Sequence, residues 1–173
     1  MSEATLWTSS LALLGVVIGF VGSLVTQVYL DGQRRKAEER SLSQAIVAEI
    51  SALVEIIRRR HYIEGLAKLI EEAKTAGNPA SLPSFRFSAR GNYFAVYQAN
   101  LARLGMLRNP QPALVVQYYT QTSSILEDIR DMDEGKPAGL SWDEAIRRLE
   151  ELRDLFKDTD DLGRRLSGLP ARN

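Results

Sequence analysis

The amino-acid sequence predicts an all-α protein, in which an N-terminal transmembrane helix is followed by a long helix and a small antiparallel helical bundle. Three observations lead to this prediction. A stretch of 25 residues, from Leu6 to Leu30, contains no charged side chain. In the longer segments that follow, apolar residues recur at spacings of three and four. The one short stretch that alternates like a strand has no second strand to pair with.

Composition limits the chemistry that the chain can perform. The chain has 173 residues, of which 45% are apolar, and the part after the predicted membrane segment is of single-domain size. It has no cysteine and one histidine, which excludes thiolate sites and multi-histidine metal sites within one chain. No phosphate-binding, dinucleotide-binding, serine-hydrolase or zinc-protease motif is present. We therefore expect no enzyme activity, no catalytic residue, no metal and no cofactor.

The formal net charge is zero, but the charges are distributed unevenly. Residues 34–108 contain 13 Lys or Arg and 7 Asp or Glu, whereas residues 127–161 contain 6 and 13. The asymmetry has two interpretations: oppositely charged helices packed side by side with solvated faces, or a surface that meets a partner. Because the basic excess is cancelled within the same domain, we expect no nucleic-acid binding.

Residues 6–30 are predicted to form the transmembrane helix. As a helix they extend over about 37 Å, which exceeds a hydrocarbon core of about 30 Å. Trp7 and Tyr29 lie near the two ends, where amphipathic rings favour the membrane interface. A cleaved signal is a weaker interpretation, because residues 1–5 carry no Lys or Arg. A buried soluble helix of this length without a charge would be unusual.

The residues that flank this segment predict its orientation. Arg34, Arg35 and Lys36 follow the predicted span, and Arg40 comes shortly after. Lys and Arg concentrate on the cytoplasmic side of membrane helices, so we expect residues 1–5 outside and the remaining chain in the cytoplasm. The expected location is the bacterial inner (plasma) membrane, with a single pass through the lipid bilayer.

Small side chains form a stripe within the predicted span. Gly15, Gly19 and Ser23 recur every four residues, and Gly22 lies beside them. Such a stripe lets two membrane helices approach closely, so we expect a homo-oligomer. The alternative is that these small residues face lipid.

Residues 31–77 are predicted to form a juxtamembrane and long bundle helix that is interrupted near Gly65. An apolar stripe at helical spacing supports this helix and consists of Leu42, Ile46, Ile50, Leu53 and Ile57. Gly77 is a suitable end. Residues 78–91 contain two prolines and no helical period, which is typical of a loop.

Residues 92–166 are predicted to form the remaining bundle helices. The first runs from a cap at Asn92 to Leu104, and Gly105 ends it in a left-handed conformation. The next is expected to begin at Asn109 and Pro110, because proline suits the first turn.

The last helix has the clearest boundary in the sequence. Ser141 and Glu144 have the spacing of a capping box, so we expect the helix to begin at this point. Residues 167–173 are expected to be a flexible tail.

Two groups of polar residues are candidate sites for an anion or a partner. The first group is a basic cluster, consisting of Arg58, Arg59, Arg60 and His61, together with Arg86 and Arg90. The alternative is a solvated ridge, because four consecutive helical residues point around the whole axis. The second is Asn100, whose amide is expected either to bond a loop carbonyl or to face a partner.

Residues 93–107, "YFAVYQANLARLGML", and the later "VVQYY" carry a resemblance. Their pattern of aromatic-x-x-Tyr-x-x-Asn-x-x-x-Leu-Gly-x-Leu resembles uncharacterised bacterial single-span membrane proteins with a cytoplasmic helical domain, over about 30 residues. The resemblance implies the layout of anchor, long helix and bundle, and it implies no activity. Physically, the segment predicts a corner in which Tyr97 and Leu101 pack inward and Gly105 has a positive φ.

The functional hypothesis is a membrane-anchored, non-enzymatic scaffold that oligomerises and docks a protein partner at the cytoplasmic face. One alternative is a ligand-binding sensor for an anionic metabolite or a lipid headgroup. Another is a phage-type envelope accessory protein.

Overall fold

Every regular element that the structure describes is a helix, which confirms the all-α class. The computed structural model describes residues 3–76, 93–133 and 141–170, and it describes side chains from Ser23 onward except at positions 76 and 133. The helices are α1 (Glu3–Arg59), α2 (Tyr62–Ala76), α3 (Ala95–Ala99), a 3₁₀ helix (Leu101–Met106), α4 (Pro112–Asp133) and α5 (Trp142–Ser167). The predicted loop 78–91 and positions 171–173 of the predicted tail lie outside the described residues.

The chain divides into two compact units, Met1–Ser41 and Leu42–Asn173. In the first unit the backbone is helical from Glu3, so the predicted membrane segment 6–30 is a helix. In the second unit, apolar side chains are buried in two clusters. Cluster A consists of Leu42, Ile46, Ile50, Leu53, Val54, Leu104, Leu107, Val115, Tyr118, Tyr119 and Leu162. Cluster B consists of Ile57, Ile63, Leu66, Leu69, Ile70, Ile125, Ile129, Leu149, Leu152 and Phe156.

Contacts between α1 and α4 show that these two helices run in the same direction. Glu49 bonds Tyr119, and farther along both helices Ile57 lines the same cleft as Ile125 and Ile129. Positions that increase together along two helices identify a parallel pair. The predicted antiparallel arrangement therefore does not hold for α1 and α4.

Helix α5 runs in the opposite direction to α2. The ring of Tyr62, at the start of α2, lies 5.9 Å from the ring of Phe156. Near the end of α2, Lys74 Nζ lies 2.8 Å from a Glu150 carboxylate oxygen. The antiparallel prediction holds for this pair. A parallel α4 is compatible with chain length, because the sixteen residues 77–92 can extend over about 50 Å.

The break between α1 and α2 lies at Arg60 and His61, four residues before the predicted interruption at Gly65. His61 has a φ of 51°, in the left-handed region that ends a right-handed helix. Its N–H donates to the Arg58 carbonyl at 3.3 Å, a tighter turn than the α pattern. The Gly65 N–H donates to the His61 carbonyl at 2.8 Å, as in an ordinary helix. Local backbone conformation, rather than the glycine, thus sets the break.

The segment after Tyr93 differs from the single helix that the sequence predicts. It forms the short α3 and then the 3₁₀ helix Leu101–Met106. Gly105 lies inside that 3₁₀ helix, and among the described glycines only Gly168 has a positive φ. Leu101 is 52% exposed, so its predicted inward packing is wrong. The inward positions are Leu104 and Leu107, because a 3₁₀ helix repeats every three residues instead of every 3.6.

Helix α4 begins at Pro112, two residues after the predicted start. The preceding Asn109–Pro110 peptide bond is cis, and the Asn109 carbonyl accepts the Ser43 hydroxyl at 2.6 Å. The first carbonyl of the helix to accept a helical N–H is that of Gln111. The hydrogen bond from Ser43 thus joins α1 to the corner that precedes α4.

Helix α5 has the predicted capping box. The Ser141 side chain accepts from the Glu144 N–H at 3.4 Å, and the Glu144 carboxylate accepts from the Ser141 N–H at 2.9 Å. At the other end, Gly168 adopts a φ of 67° as the C-cap. Both caps satisfy backbone groups that a helix end leaves without partners.

Gly163 lies on the face of α5 that packs against Val54 and Tyr118 of cluster A. A Cβ at this position would lie 2.6 Å from Val54 Cγ2 and 2.7 Å from Tyr118 Cε2. We expect Gly163→Ala to lower the free energy of unfolding by about 1–2 kcal/mol, because overpacking costs more than the roughly 1 kcal/mol of helix propensity gained. Equilibrium urea denaturation of the full-length chain, followed through Trp142 fluorescence in a Trp7→Phe background, measures the change.

Gly105→Ala is the matched control for this substitution. Gly105 has nothing within 4 Å of a built Cβ, and its φ is not positive. We expect its replacement to change stability by no more than about 0.5 kcal/mol. Val54→Ala in the Gly163→Ala background should recover part of the loss, because it removes one of the two clashing atoms. An unchanged midpoint for Gly163→Ala would contradict the steric argument.

Candidate functional site

A run of apolar side chains on α1 is exposed in the structure. It consists of Leu24, Val25, Val28, Tyr29 and Leu30. Val28 is 73% exposed, whereas the apolar stripe farther along the same helix is buried. Apolar surface concentrated in this way is typical of a site that meets a membrane or another protein.

A group of cations follows this apolar run along α1. Arg34, Arg35, Lys36 and Arg40 are all exposed. Between the two groups, the Gln33 amide donates to the Tyr29 hydroxyl at 3.1 Å, which holds the polar end of the ring toward the charged side. The order along the helix is therefore apolar, aromatic and basic, which is the order found at the edge of a membrane segment.

The residues proposed for the membrane segment are only partly described. Trp7, Gly15, Gly19 and Gly22 lie outside the residues with described side chains, and Ser23 is exposed. In the portion of the chain that the structure describes, we find no helix with a stretch that is both long and apolar enough to cross a membrane.

The basic cluster at the end of α1 is divided between two partners. Arg58 and Arg59 both bind the Glu55 carboxylate, with N–O distances of 2.7 and 2.6 Å. Hydrogen bonds from Arg58 and then Arg59 lower the pKa of the Glu55 carboxyl to about 2. Arg60 instead donates to the Tyr62 hydroxyl at 2.9 Å. The Glu55 carboxylate thus neutralises part of the positive charge of the cluster, and Arg60 points to a different partner from Arg58 and Arg59.

The other members of the basic cluster do not add to a common site in the described part of the chain. His61 is exposed at the turn. Arg86 and Arg90 lie outside the described residues. The described geometry thus gives no support to the hypothesis of one converging anion site.

Asn100 is engaged by its own segment. Its side-chain amide donates to the Val96 carbonyl at 2.8 Å, and its side-chain oxygen accepts from Arg103 at 3.4 Å. The acceptor lies in helix α3 and not in a loop, so the predicted bond to a loop carbonyl is not what the amide makes, and a contact with a partner stays a prediction.

Glu49 is the main polar residue that sequence reasoning missed. Its carboxylate accepts the backbone N–H groups of Val96 and Tyr97 at 2.7 and 3.0 Å, and the Tyr119 hydroxyl at 2.5 Å. A carboxylate from α1 thus caps α3, whose own N-cap residue, Phe94, makes no side-chain cap. One feature of the sequence could have indicated its role. Glu49 lies three residues after Ile46 and four before Leu53, which places it on the edge of the buried apolar stripe.

Aromatic rings surround the Glu49 carboxylate. The rings of Tyr97 and Tyr119 stack with centroids 3.9 Å apart, and Phe94 meets Tyr119 edge-on at 5.5 Å. Burial, followed by the hydrogen bond to Glu49, raises the pKa of the Tyr119 hydroxyl, which therefore stays protonated and donates. This arrangement fixes the α3 segment against α1 and α4.

A second missed group lies on α5. Asp160 is 1% exposed, and its Oδ2 accepts from Arg164 Nε at 2.7 Å. Asp160 Oδ1 and the Tyr118 hydroxyl have no hydrogen-bond partner among the described atoms. The sequence shows Asp160 only as one of several acids near the end of the last helix, so its burial depends on how α5 rotates against α4.

The described residues contain no group of His, Cys, Asp or Glu that could hold a metal ion. Comparison with protein families, curated proteins and solved structures found no match for this chain. What the described structure defines is therefore a class, an all-α helical bundle preceded by a helix with an exposed apolar run.

Proposed function

We propose that this chain is a membrane-anchored, non-enzymatic helical protein that places its bundle at the cytoplasmic face, where the bundle docks a protein partner. The observation that carries the proposal is the exposed apolar run from Leu24 to Leu30, followed directly by exposed cations. Apolar surface of this kind gains about 25 cal/mol for each Å² removed from water, which favours burial in a bilayer.

The orientation and the self-association are parts of the same proposal. Arg34, Arg35 and Lys36 would lie at the inner leaflet of a bacterial plasma membrane, with the N-terminus outside. The stripe of Gly15, Gly19 and Ser23 would bring two copies of the span together.

Two carboxylates of the bundle, those of Glu49 and Asp160, are engaged within the fold. Both oxygens of Glu49 accept hydrogen bonds from inside the fold. The buried carboxylate of Asp160 is bonded to Arg164 of the same helix. Groups that are committed to holding the fold together in this way are not available as acids or bases toward a substrate.

Membrane anchoring is tested by placing charge inside the proposed span. We expect the wild-type chain to stay in the membrane pellet after a carbonate wash. Val17→Asp/Val21→Asp should release the chain, because each carboxylate at the centre of a span costs about 2.5–3.5 kcal/mol. The control, Leu101→Asp/Val116→Asp, places the same charges at exposed apolar positions of the bundle and should stay in the pellet. A wild-type chain in the supernatant would contradict the anchor.

The absence of cysteine allows a separate test of orientation. Each of two variants, Ser2→Cys and Asp158→Cys, carries a single thiol. A membrane-impermeant maleimide applied to intact spheroplasts should label only the first, and both should react after lysis. Labelling of Asp158→Cys alone before lysis would reverse the proposed topology.

A further inference from the structure

A groove of about 450 Å³ runs between the C-terminal half of α4 and the N-terminal half of α5. Its lining consists of Asp128, Asp131, Met132, Arg148, Glu151, Leu152 and Leu155. None of these residues belongs to the apolar run, the basic cluster or the Glu49 site.

The walls of the groove are acidic. Three carboxylates, those of Asp128, Asp131 and Glu151, face one guanidinium, that of Arg148. Neither Asp128 nor Asp131 takes part in an ion pair within the described structure. Glu151 meets Arg147 only at 3.9 Å, on the solvent side. Among the residues that the structure describes, the groove therefore keeps an excess of negative charge.

This excess charge is unfavourable for the folded chain on its own. Partial burial raises the pKa of the Asp128 carboxyl, and the neighbouring carboxylates of Asp131, Glu127 and Glu151 raise it further, although Arg148 acts in the opposite direction. A carboxyl whose pKa is raised on folding destabilises the fold above its unfolded pKa, and this cost disappears as the pH falls below it. A cationic partner in the groove would remove the cost at neutral pH.

The floor of the groove is apolar. Leu152 is buried in cluster B, Leu155 is half-buried, and Met132 is 37% exposed. Methionine is unbranched and polarisable, so it adapts to different apolar surfaces and recurs at sites that bind amphipathic helices. The groove thus combines an apolar floor with acidic walls.

We propose that this groove binds a basic amphipathic helix of another protein. The apolar face of that helix would rest on Met132 and Leu155, and its Lys or Arg side chains would pair with Asp128 and Asp131. The inference rests on the proposed docking function and names the chemistry of the partner.

Charge and composition argue against four other occupants. Phosphates of nucleic acid and the anionic inner leaflet would be repelled by the carboxylate walls. The basic segment 34–40 of a second copy, "RRKAEER", has no large apolar side chain to place on the floor. The apolar run 24–30 of a second copy lacks the cations that the walls require.

The experiment measures binding of a labelled probe to the full-length chain in phosphatidylcholine nanodiscs at physiological ionic strength. The probe is a fluorescein-labelled peptide of Lys and Leu, with Leu at helical spacings of three and four, and its binding to empty nanodiscs is subtracted. We expect Asp128→Asn/Asp131→Asn to weaken binding about tenfold, equivalent to about 1.4 kcal/mol. Asp143→Asn/Asp158→Asn, which removes two exposed acids outside the groove, should change binding less than about twofold.

Two further probes distinguish a groove from general attraction to acid. A peptide in which Glu replaces Lys should not bind, and a scrambled Lys/Leu peptide without a helical face should bind several times more weakly. The Asp128→Asn/Asp131→Asn variant should remain folded by circular dichroism, because neither Asp128 nor Asp131 takes part in an ion pair within the described structure. Equal loss of binding in both double variants, or no binding by the wild-type chain, overturns the proposal.

The result is separable from the test of membrane anchoring. If the carbonate wash released the wild-type chain while the peptide still bound through Asp128 and Asp131, the proposal of a membrane anchor would be wrong and the proposal of a helix-binding groove would be supported. If the chain stayed in the membrane and the peptide did not bind, only the proposal of a helix-binding groove would be wrong.

Discussion

Replacing Glu49 by alanine is expected to lower the free energy of unfolding by about 3 kcal/mol. The substitution removes three hydrogen bonds to a carboxylate, two of them from the Val96 and Tyr97 N–H groups in the first turn of α3 and one from the Tyr119 hydroxyl. Hydrogen bonds to charged groups contribute about 1.5–3 kcal/mol each when partly buried, and water can replace some of them here. Urea denaturation monitored by Trp142 fluorescence measures the loss.

Two comparisons separate this capping role from a general effect of charge. Glu72→Ala removes an exposed acid whose ion pair with Lys68 spans 3.6 Å, and it should cost less than about 0.5 kcal/mol. Tyr119→Phe removes only one of the three bonds and should cost about 1 kcal/mol, with clear non-additivity when it is combined with Glu49→Ala. If Glu49→Ala and Glu72→Ala were equally stable, the carboxylate would not be capping α3.

Replacing Asp160 by alanine is expected to lower the free energy of unfolding by about 3 kcal/mol. Asp160 is 1% exposed and the side chain of Arg164 is 12% exposed, so the substitution leaves a nearly buried guanidinium without its carboxylate. Removing one member of a buried pair costs about 3–5 kcal/mol, and the second bond of Arg164, to the Pro170 carbonyl at 3.2 Å, reduces this cost. The same denaturation assay measures it.

The adjacent acid provides the matched control. Asp161 is exposed, so Asp161→Ala should change stability by no more than about 0.5 kcal/mol. Adding Arg164→Met to Asp160→Ala removes the isolated charge and should recover part of the loss, since a buried ion pair is seldom better than apolar packing. A double variant less stable than Asp160→Ala would show that Arg164 has a separate role.

Several elements could be predicted because their signals are local. The capping box at Ser141 and Glu144 needs only residues three apart, and it begins α5 as expected. The stripe from Leu42 to Ile57 is buried because a helix with one apolar face packs with that face inward. The all-α class follows from the same periodicity.

Other features could not be predicted because they depend on neighbours that are distant in sequence. The Ser43 hydroxyl donates a hydrogen bond to the Asn109 carbonyl, in the corner just before α4, and α4 begins at Pro112. The carboxylate of Glu49 holds the start of α3, and the segment after it tightens into a 3₁₀ helix, which turns Leu101 outward. Gly105 lies inside this 3₁₀ helix without a positive φ, so the prediction that it ends a helix in a left-handed conformation was wrong.

The candidate sites show the same division. The sequence alone predicts the apolar run from Leu24 to Leu30 and the cations after it, because charge and hydropathy are properties of each residue. The groove at Asp128 and the burial of Asp160 could not be predicted from the sequence. Several acids occur along α4 and α5, and only the packing of the bundle shows which of them line a groove or are buried.

The sequence by itself thus determined the helical class, the amphipathic faces, the capped start of α5 and the apolar-to-basic order of α1. Only the tertiary structure decided that α4 runs parallel to α1, that α1 breaks at His61, and which carboxylates are buried or lack an ion pair among the described residues. The physical reason is range. Helix periodicity and capping act over three or four residues, whereas helix direction, desolvation and ion pairing depend on which faces meet after the chain has folded.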